Sequence, residues 1–333
     1  MTLGSPRRGC RVAAFRASLL VTLVLQNTAY VIFTKLSFQD AKRAYIVSTV
    51  ILCAEFAKLL VSSVMLITLH GLRAFGCALK ELPVSTGQLC LPSALYTVQS
   101  RLIFEGVRSL NPTIFIACSQ VKIFTTAWFS FCLLGKAITR VQFFALCLLV
   151  VGLLLVQVEA NETPTDKGNV DGYRTVYGMI MVCTAATTSG FSGAYLEKIY
   201  RGDCNGGYKN SIWFKNLQLA LFSMTSALLS CYWQDEVEIR DKGFFVGYRS
   251  IVIAIVLLQA IGGLVVASVM KHTGNLLKCF AAAFSTCFCA ILSPYLLNHT
   301  DQIGGKQFIG ILLIFASTFI YTSKPRMQYQ VSQ

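Results

Sequence analysis

Lys122-Ile-Phe-Thr-Thr-Ala-Trp-Phe-Ser130 and Lys278-Cys-Phe-Ala-Ala-Ala-Phe-Ser-Thr286 share lysine, phenylalanine and alanine at the same offsets. Gln142-Phe143 opens the next apolar run after the first block, and Gln307-Phe308 does so after the second. Two blocks in the same order mark an internal repeat. The alternative is a chance likeness between two apolar helices that each contain a lysine. The copies lie an odd number of apolar runs apart, so the second would enter a membrane in the opposite sense. Inverted repeats of this kind place a substrate near the bilayer midplane, with one half rocking against the other.

The surrounding composition supports a membrane setting. Of 333 residues, 55% are hydrophobic and 13% charged; soluble domains run at about 45–50% and 25%. A spanning helix needs about 20 predominantly apolar residues. Ten segments qualify: 16–34, 44–69, 89–108, 111–134, 139–158, 175–197, 212–233, 248–270, 274–297 and 305–323. The expected fold is an all-α membrane protein of ten transmembrane helices in an inverted 5+5 repeat. The domains would be a basic N-terminus (1–15), a first repeat (16–158), a loop (159–174), a second repeat (175–323) and a tail (324–333). The N-terminal arginines Arg7, Arg8, Arg11 and Arg16 precede the first run without a small-residue cleavage site, so that run reads as a retained span. The third segment carries Gln99, Arg101 and Glu105 and reads as a helix facing the bundle interior.

The net charge of +14 divides by side. With an even span count, both termini and 14 of the 29 basic residues fall on one side, accompanied only by Glu81 and Asp203. Ten basic and ten acidic residues fall on the other. Lysine and arginine favour the cytosolic face, so the termini are expected there. Two sequons, Asn161-Glu-Thr163 and Asn298-His-Thr300, lie in loops of the opposite side, as glycosylation would require. Most of the excess charge is therefore orientation, and nucleic acid is not an expected partner. The 13 cysteines include no zinc-type spacing and sit mostly alone in apolar runs, so neither a metal nor a disulfide framework is expected.

Eight ionisable residues remain inside or at the ends of spans: Glu55, Lys58, Arg101, Glu105, Lys122, Glu197, Lys215 and Lys278. Each costs about 2.5–3.5 kcal/mol at a helix centre on insertion scales. Glu55 with Lys58, and Arg101 with Glu105, have the spacing of structural pairs on one helix face. Glu197 and Lys215 flank a cytosolic loop, where pairing or snorkelling would satisfy them. Lys122 and Lys278 have no acid within four residues and occupy equivalent repeat positions. Two such lysines fit an anion with at least two charges, because lysine suits phosphate as a mobile point charge. An acid on another helix is the alternative for each. The small residues around Ser189, Gly190 and Gly193 allow close helix packing, or let a ligand reach the backbone. Asn216, Gln218, Gln99 and Ser100 could hydrogen-bond a base or sugar, or serve as interhelical contacts.

At these residues the chain resembles the nucleotide-sugar transporters of the drug/metabolite transporter superfamily. It is most similar to the branch carrying UDP-galactose, UDP-N-acetylglucosamine and CMP-sialic acid. The likeness runs through Ala54-Glu-Phe-Ala-Lys58, Ser119-Gln-Val-Lys-Ile123, Ser189-Gly-Phe-Ser-Gly-Ala-Tyr-Leu-Glu-Lys198, Asn216-Leu-Gln218, Gln259-Ala-Ile-Gly-Gly263 and Lys271-His-Thr-Gly-Asn-Leu-Leu-Lys278. It implies ten helices with cytosolic ends, and exchange of a cytosolic nucleotide sugar for a lumenal nucleoside monophosphate, usually in the Golgi, with the ER as a further location. It also implies that Lys122 and Lys278 meet phosphate, and that Ser189, Gly190, Gly193 and Asn216 surround the nucleotide. Gln99, Ser100 and Arg101 fall where the family follows glutamine with two asparagines. Arg101 is either a third cation near the ligand or the partner of Glu105. Phe115 and Ser119 replace tyrosines common in the family.

The expected partners are thus a UDP-sugar, UMP and membrane lipids, with self-association left open and no cofactor. A CMP-sialic acid/CMP exchanger, or another organic-phosphate antiporter of the superfamily, is the competing reading. A membrane enzyme fits poorly: His70, His272 and His299 are the only histidines, and no paired acidic motif lies at a span end.

Overall fold

The long apolar runs become helices nearly throughout. The computed structural model describes residues 6–38, 45–85, 87–159, 172–202, 207–296 and 304–323. Its helices are α1 (Pro6–Phe38), α2 (Val47–Ser85), α3 (Gly87–Ser109), α4 (Pro112–Ser119), α5 (Val121–Leu134), α6 (Arg140–Glu159), α7 (Gly172–Arg201), α8 (Ile212–Gln234), α9 (Glu236–Lys242), α10 (Ser250–His272), α11 (Asn275–Leu296) and α12 (Gly305–Ser323). Each of the ten expected spans contains a helix. Asn161, Asn298 and the C-terminal tail lie outside the described residues.

Seven described stretches are long and apolar enough to cross a membrane: Arg11–Phe38, Val47–Lys80, Thr113–Leu134, Arg140–Gln157, Ser250–His272, Asn275–Leu292 and Gly305–Ser323. Helices α3, α7 and α8 have 23, 30 and 23 residues, so length is sufficient in all three. Their polar content lowers the hydropathy: Gln99, Arg101 and Glu105 in α3, a Thr/Ser/Gly run in α7, and Lys215, Asn216 and Gln218 in α8. Trp128, Phe144 and Phe319 are each more than half exposed, a surface suited to lipid and not to water.

Helix α2 runs past its expected end through a break at Gly71 (φ 84°, ψ 163°) and continues to Ser85. The fourth span is two helices, because the chain turns at Gln120, whose N–H bonds to Ala117 O at 3.2 Å. Proline at the start of α4 costs nothing, since that N–H has no intrahelical partner.

The chain forms two compact units that draw on both halves of the sequence: Met1–Ser93 with Ile199–Gly274, and Ala94–Lys198 with Asn275–Gln333. In the first unit, α2 packs on α8 through Leu66, Ala78, Phe214 and Leu217. Helices α2 and α10 meet at Val50, Val252 and Ile255. Gln26 of α1 donates to Leu258 O of α10 at 2.9 Å. In the second unit, Ile123 and Ala127 of α5 join Leu146, Leu149 and Leu153 of α6, Phe280 of α11 and Ile314 of α12 in one core. Ser317 of α12 also donates to Ala145 O of α6 at 2.7 Å, a tie that satisfies a hydroxyl where no water would.

Candidate substrate-binding site

Lys122 and Lys278 both belong to the second unit. Lys122 lies in the first turn of α5 and is exposed; Lys278 lies one turn into α11 and is half-buried. The charges of Lys122 and Glu197 both act on Lys278. Neither ammonium group has a hydrogen bond or ion pair among the described residues, unlike those of Lys58 and Lys136. Two ammonium groups without a directly bonded acid among the described residues are available to an anion bearing more than one charge.

Local backbone signals place these groups. Helix α5 stops at Gly135, whose left-handed φ of 64° lets its N–H bond Phe131 O at 3.0 Å while Lys136 N–H reaches Ser130 O at 3.4 Å. This is a glycine-dependent cap, and it delivers the Lys136 ammonium to the Glu197 carboxylate. Helix α10 ends where Gly274, at φ 104°, turns the chain directly into α11. Asn275 is then the first residue of the helix that carries Lys278.

The neighbouring small residues serve packing. A side chain at Gly190 would run into Thr125 of α5, and Thr125 also donates to Ala186 O at 3.1 Å. A side chain at Gly193 would run into the amide of Asn275. The room that these glycines provide is therefore filled by protein atoms. Ser189 is half-buried, and its side chain makes no hydrogen bond with another described residue. The Gln99 Oε1 atom is buried without a partner, and the Ser100 side chain lies outside the described residues.

The expected charge pairs turn out differently from one another. Lys58 reaches Glu55 at 2.6 Å, and its stem lies against Gly263 of α10. Arg101 and Glu105 make no ion pair; Arg101 is exposed and Glu105 half-buried. Spacing along one helix allows such a pair but does not enforce it where solvent or lipid headgroups can serve the guanidinium. Glu197 meets Lys136, while Lys215 donates to Ile199 O at 2.6 Å and Gly202 O at 3.1 Å at the end of α7. A cation there satisfies terminal carbonyls and the helix dipole together. Asn216 is buried, with Oδ1 accepting from Tyr200 at 2.6 Å and Nδ2 unpartnered.

Sequence reasoning missed Lys136 as a site neighbour, counting it only as a loop charge. It also missed Thr125, Tyr200 and Asn275. The Gly-Asn pair before Lys278 was the one local signal for Asn275, as a helix start.

The model of the nucleotide-sugar transporter family matches residues 12–322. The chain belongs to that family. It is a transporter and not an enzyme, and its apolar helices place it in a membrane. The transporter is 33% identical over 321 residues to the UDP-N-acetylglucosamine/UDP-N-acetylgalactosamine transporter nstp-4 of Caenorhabditis elegans, covering 92% of this chain and 93% of that one. It is 32% identical to the UDP-N-acetylglucosamine transporter of Mus musculus, covering 91% and 94%. It is 34% identical to the UDP-galactose transporter of Schizosaccharomyces pombe, covering 92% and 88%. A crystal structure at 13% identity superposes with a TM-score of 0.62 over 91% of this chain and 96% of its own, a likeness of fold alone.

Proposed function

We propose that this transporter imports a UDP-sugar, UDP-galactose or UDP-N-acetylglucosamine, into the Golgi lumen in exchange for UMP. The observation that carries the reading is the pair of ammonium groups at Lys122 and Lys278, which no described acid neutralises by direct contact. A pyrophosphate or monophosphate supplies the missing charge, so loaded forms are favoured over the empty one. Repulsion between the lysines disfavours return of the empty carrier and enforces exchange. The names of the relatives, all UDP-sugar transporters, support the choice of nucleotide.

In this reading ten helices form the inverted 5+5 repeat, the termini are cytosolic, and the cycle is alternating access. Asn216 and Ser189 contact the nucleotide, following the family resemblance. Gln99, Ser100 and Arg101 stand nearest the choice of sugar.

The test is uptake of a panel of radiolabelled nucleotide sugars into proteoliposomes preloaded with UMP, CMP or inorganic phosphate. UDP-sugar uptake that depends on internal UMP is expected. Stimulation by CMP would instead indicate a CMP-sialic acid exchanger, and stimulation by phosphate an organic-phosphate antiporter.

A further inference from the structure

Glu197 is fully buried at the end of α7, where its carboxylate pairs with Lys136 of the α5–α6 connection. A buried carboxylate needs more than one partner to offset its desolvation. Its second oxygen accepts the backbone N–H of Asn275 at 2.9 Å. That N–H belongs to the first turn of α11, where the helix itself offers no acceptor and where negative charge is favoured. One turn earlier on α7, Gly193 receives the Asn275 amide side chain. Positions 193 and 197 share a helix face, so α7 grips the start of α11 at two adjacent points.

Lys278 stands three residues beyond Asn275, on the next turn of the same helix. The Glu197 charge also acts on Lys278 directly, opposing the repulsion from Lys122. We infer that Glu197 is a positioning residue for phosphate binding: it anchors the first turn of α11 and so fixes where the Lys278 ammonium sits. Lys136 is its ion-pair partner. The inference rests on the two-lysine reading above. It assigns Gly193 to holding Asn275 in place and not to lining the ligand.

The test uses the full chain in proteoliposomes, with the UMP dependence of exchange measured per folded transporter. Glu197→Ala alone removes the carboxylate that Lys136 pairs with and leaves an excess positive charge, so the informative variants are E197A/K136M and E197Q/K136M. In E197A/K136M the half-saturating UMP concentration rises about tenfold, the scale of losing one charge-assisted hydrogen bond, while the maximal rate stays within about twofold of wild type. In E197Q/K136M the amide oxygen still accepts the Asn275 N–H, and half-saturation returns most of the way. Three outcomes overturn the inference: unchanged half-saturation in E197A/K136M, a loss confined to the maximal rate, or equal weakening in both double variants. Lys278→Ala is measured alongside. If it exchanges UMP with wild-type half-saturation, the two-lysine site itself fails; if its exchange falls to the protein-free background while E197A/K136M keeps wild-type half-saturation, only the anchor fails.

Discussion

Gly152 of α6 and Gly310 of α12 pack backbone to backbone: a Cβ at Gly152 would lie 2.9 Å from Gly310 O, and one at Gly310 would lie 2.7 Å from Gly152 O. Without a hydrophobic driving force between helices in lipid, such close approach is what van der Waals packing requires. The Ser317 bond to Ala145 O continues the same contact.

Substituting valine at either glycine forces the helices apart. Gly152→Val and Gly310→Val are each expected to cost about 1–3 kcal/mol by overpacking. The measure is the apparent melting temperature and monodisperse fraction of detergent-extracted protein. Gly172→Ala is the control, since nothing lies near a Cβ there; a control that is as destabilised as Gly152→Val would refute the packing argument.

The Glu55–Lys58 pair should behave as a buried ion pair. Lys58→Met leaves the Glu55 carboxylate without its cation and is expected to cost about 3–5 kcal/mol. The double variant E55Q/K58M removes both charges and should recover most of the folded yield. Equal loss in the single and double variants would show that the pair does not stabilise the fold.

The Tyr200–Asn216 hydrogen bond leaves only the amide Nδ2 of Asn216 open. If that donor meets the nucleotide, UMP should raise the melting temperature of wild-type protein, as any ligand of the native state does, and raise it much less in Asn216→Ala. Tyr200→Phe removes a buried partner and should lower the melting temperature by the equivalent of about 1–3 kcal/mol, whether or not UMP is present. An undiminished UMP shift in Asn216→Ala would remove Asn216 from the site.

Seven of the membrane segments were legible because about 20 apolar residues in a row admit few other readings. The Glu55–Lys58 pair was legible too, since its spacing acts within one helix. What lay beyond reach were contacts between segments distant in the chain. Lys136 meets Glu197 across 61 positions, and nothing near either residue announces the other. Gly190 and Gly193 were read either as close helix contacts or as room for a ligand, and a side chain at either would meet Thr125 or Asn275. Small residues signal that something approaches, not what. Arg101 and Glu105 had a pairing distance along α3 without the burial that would compel them to pair. The extension of α2 beyond Gly71 was missed because its second part is too short and too mixed to read as a span.

The two-lysine site is tested most directly by UMP/UMP exchange in proteoliposomes reconstituted with wild-type protein, Lys122→Ala or Lys278→Ala, each verified as folded and inserted. Counterflow of labelled UMP against an internal UMP load should be robust in wild type and fall to the protein-free background in each variant. Near-normal exchange in either variant would contradict the claim that both ammonium groups hold the transported phosphate.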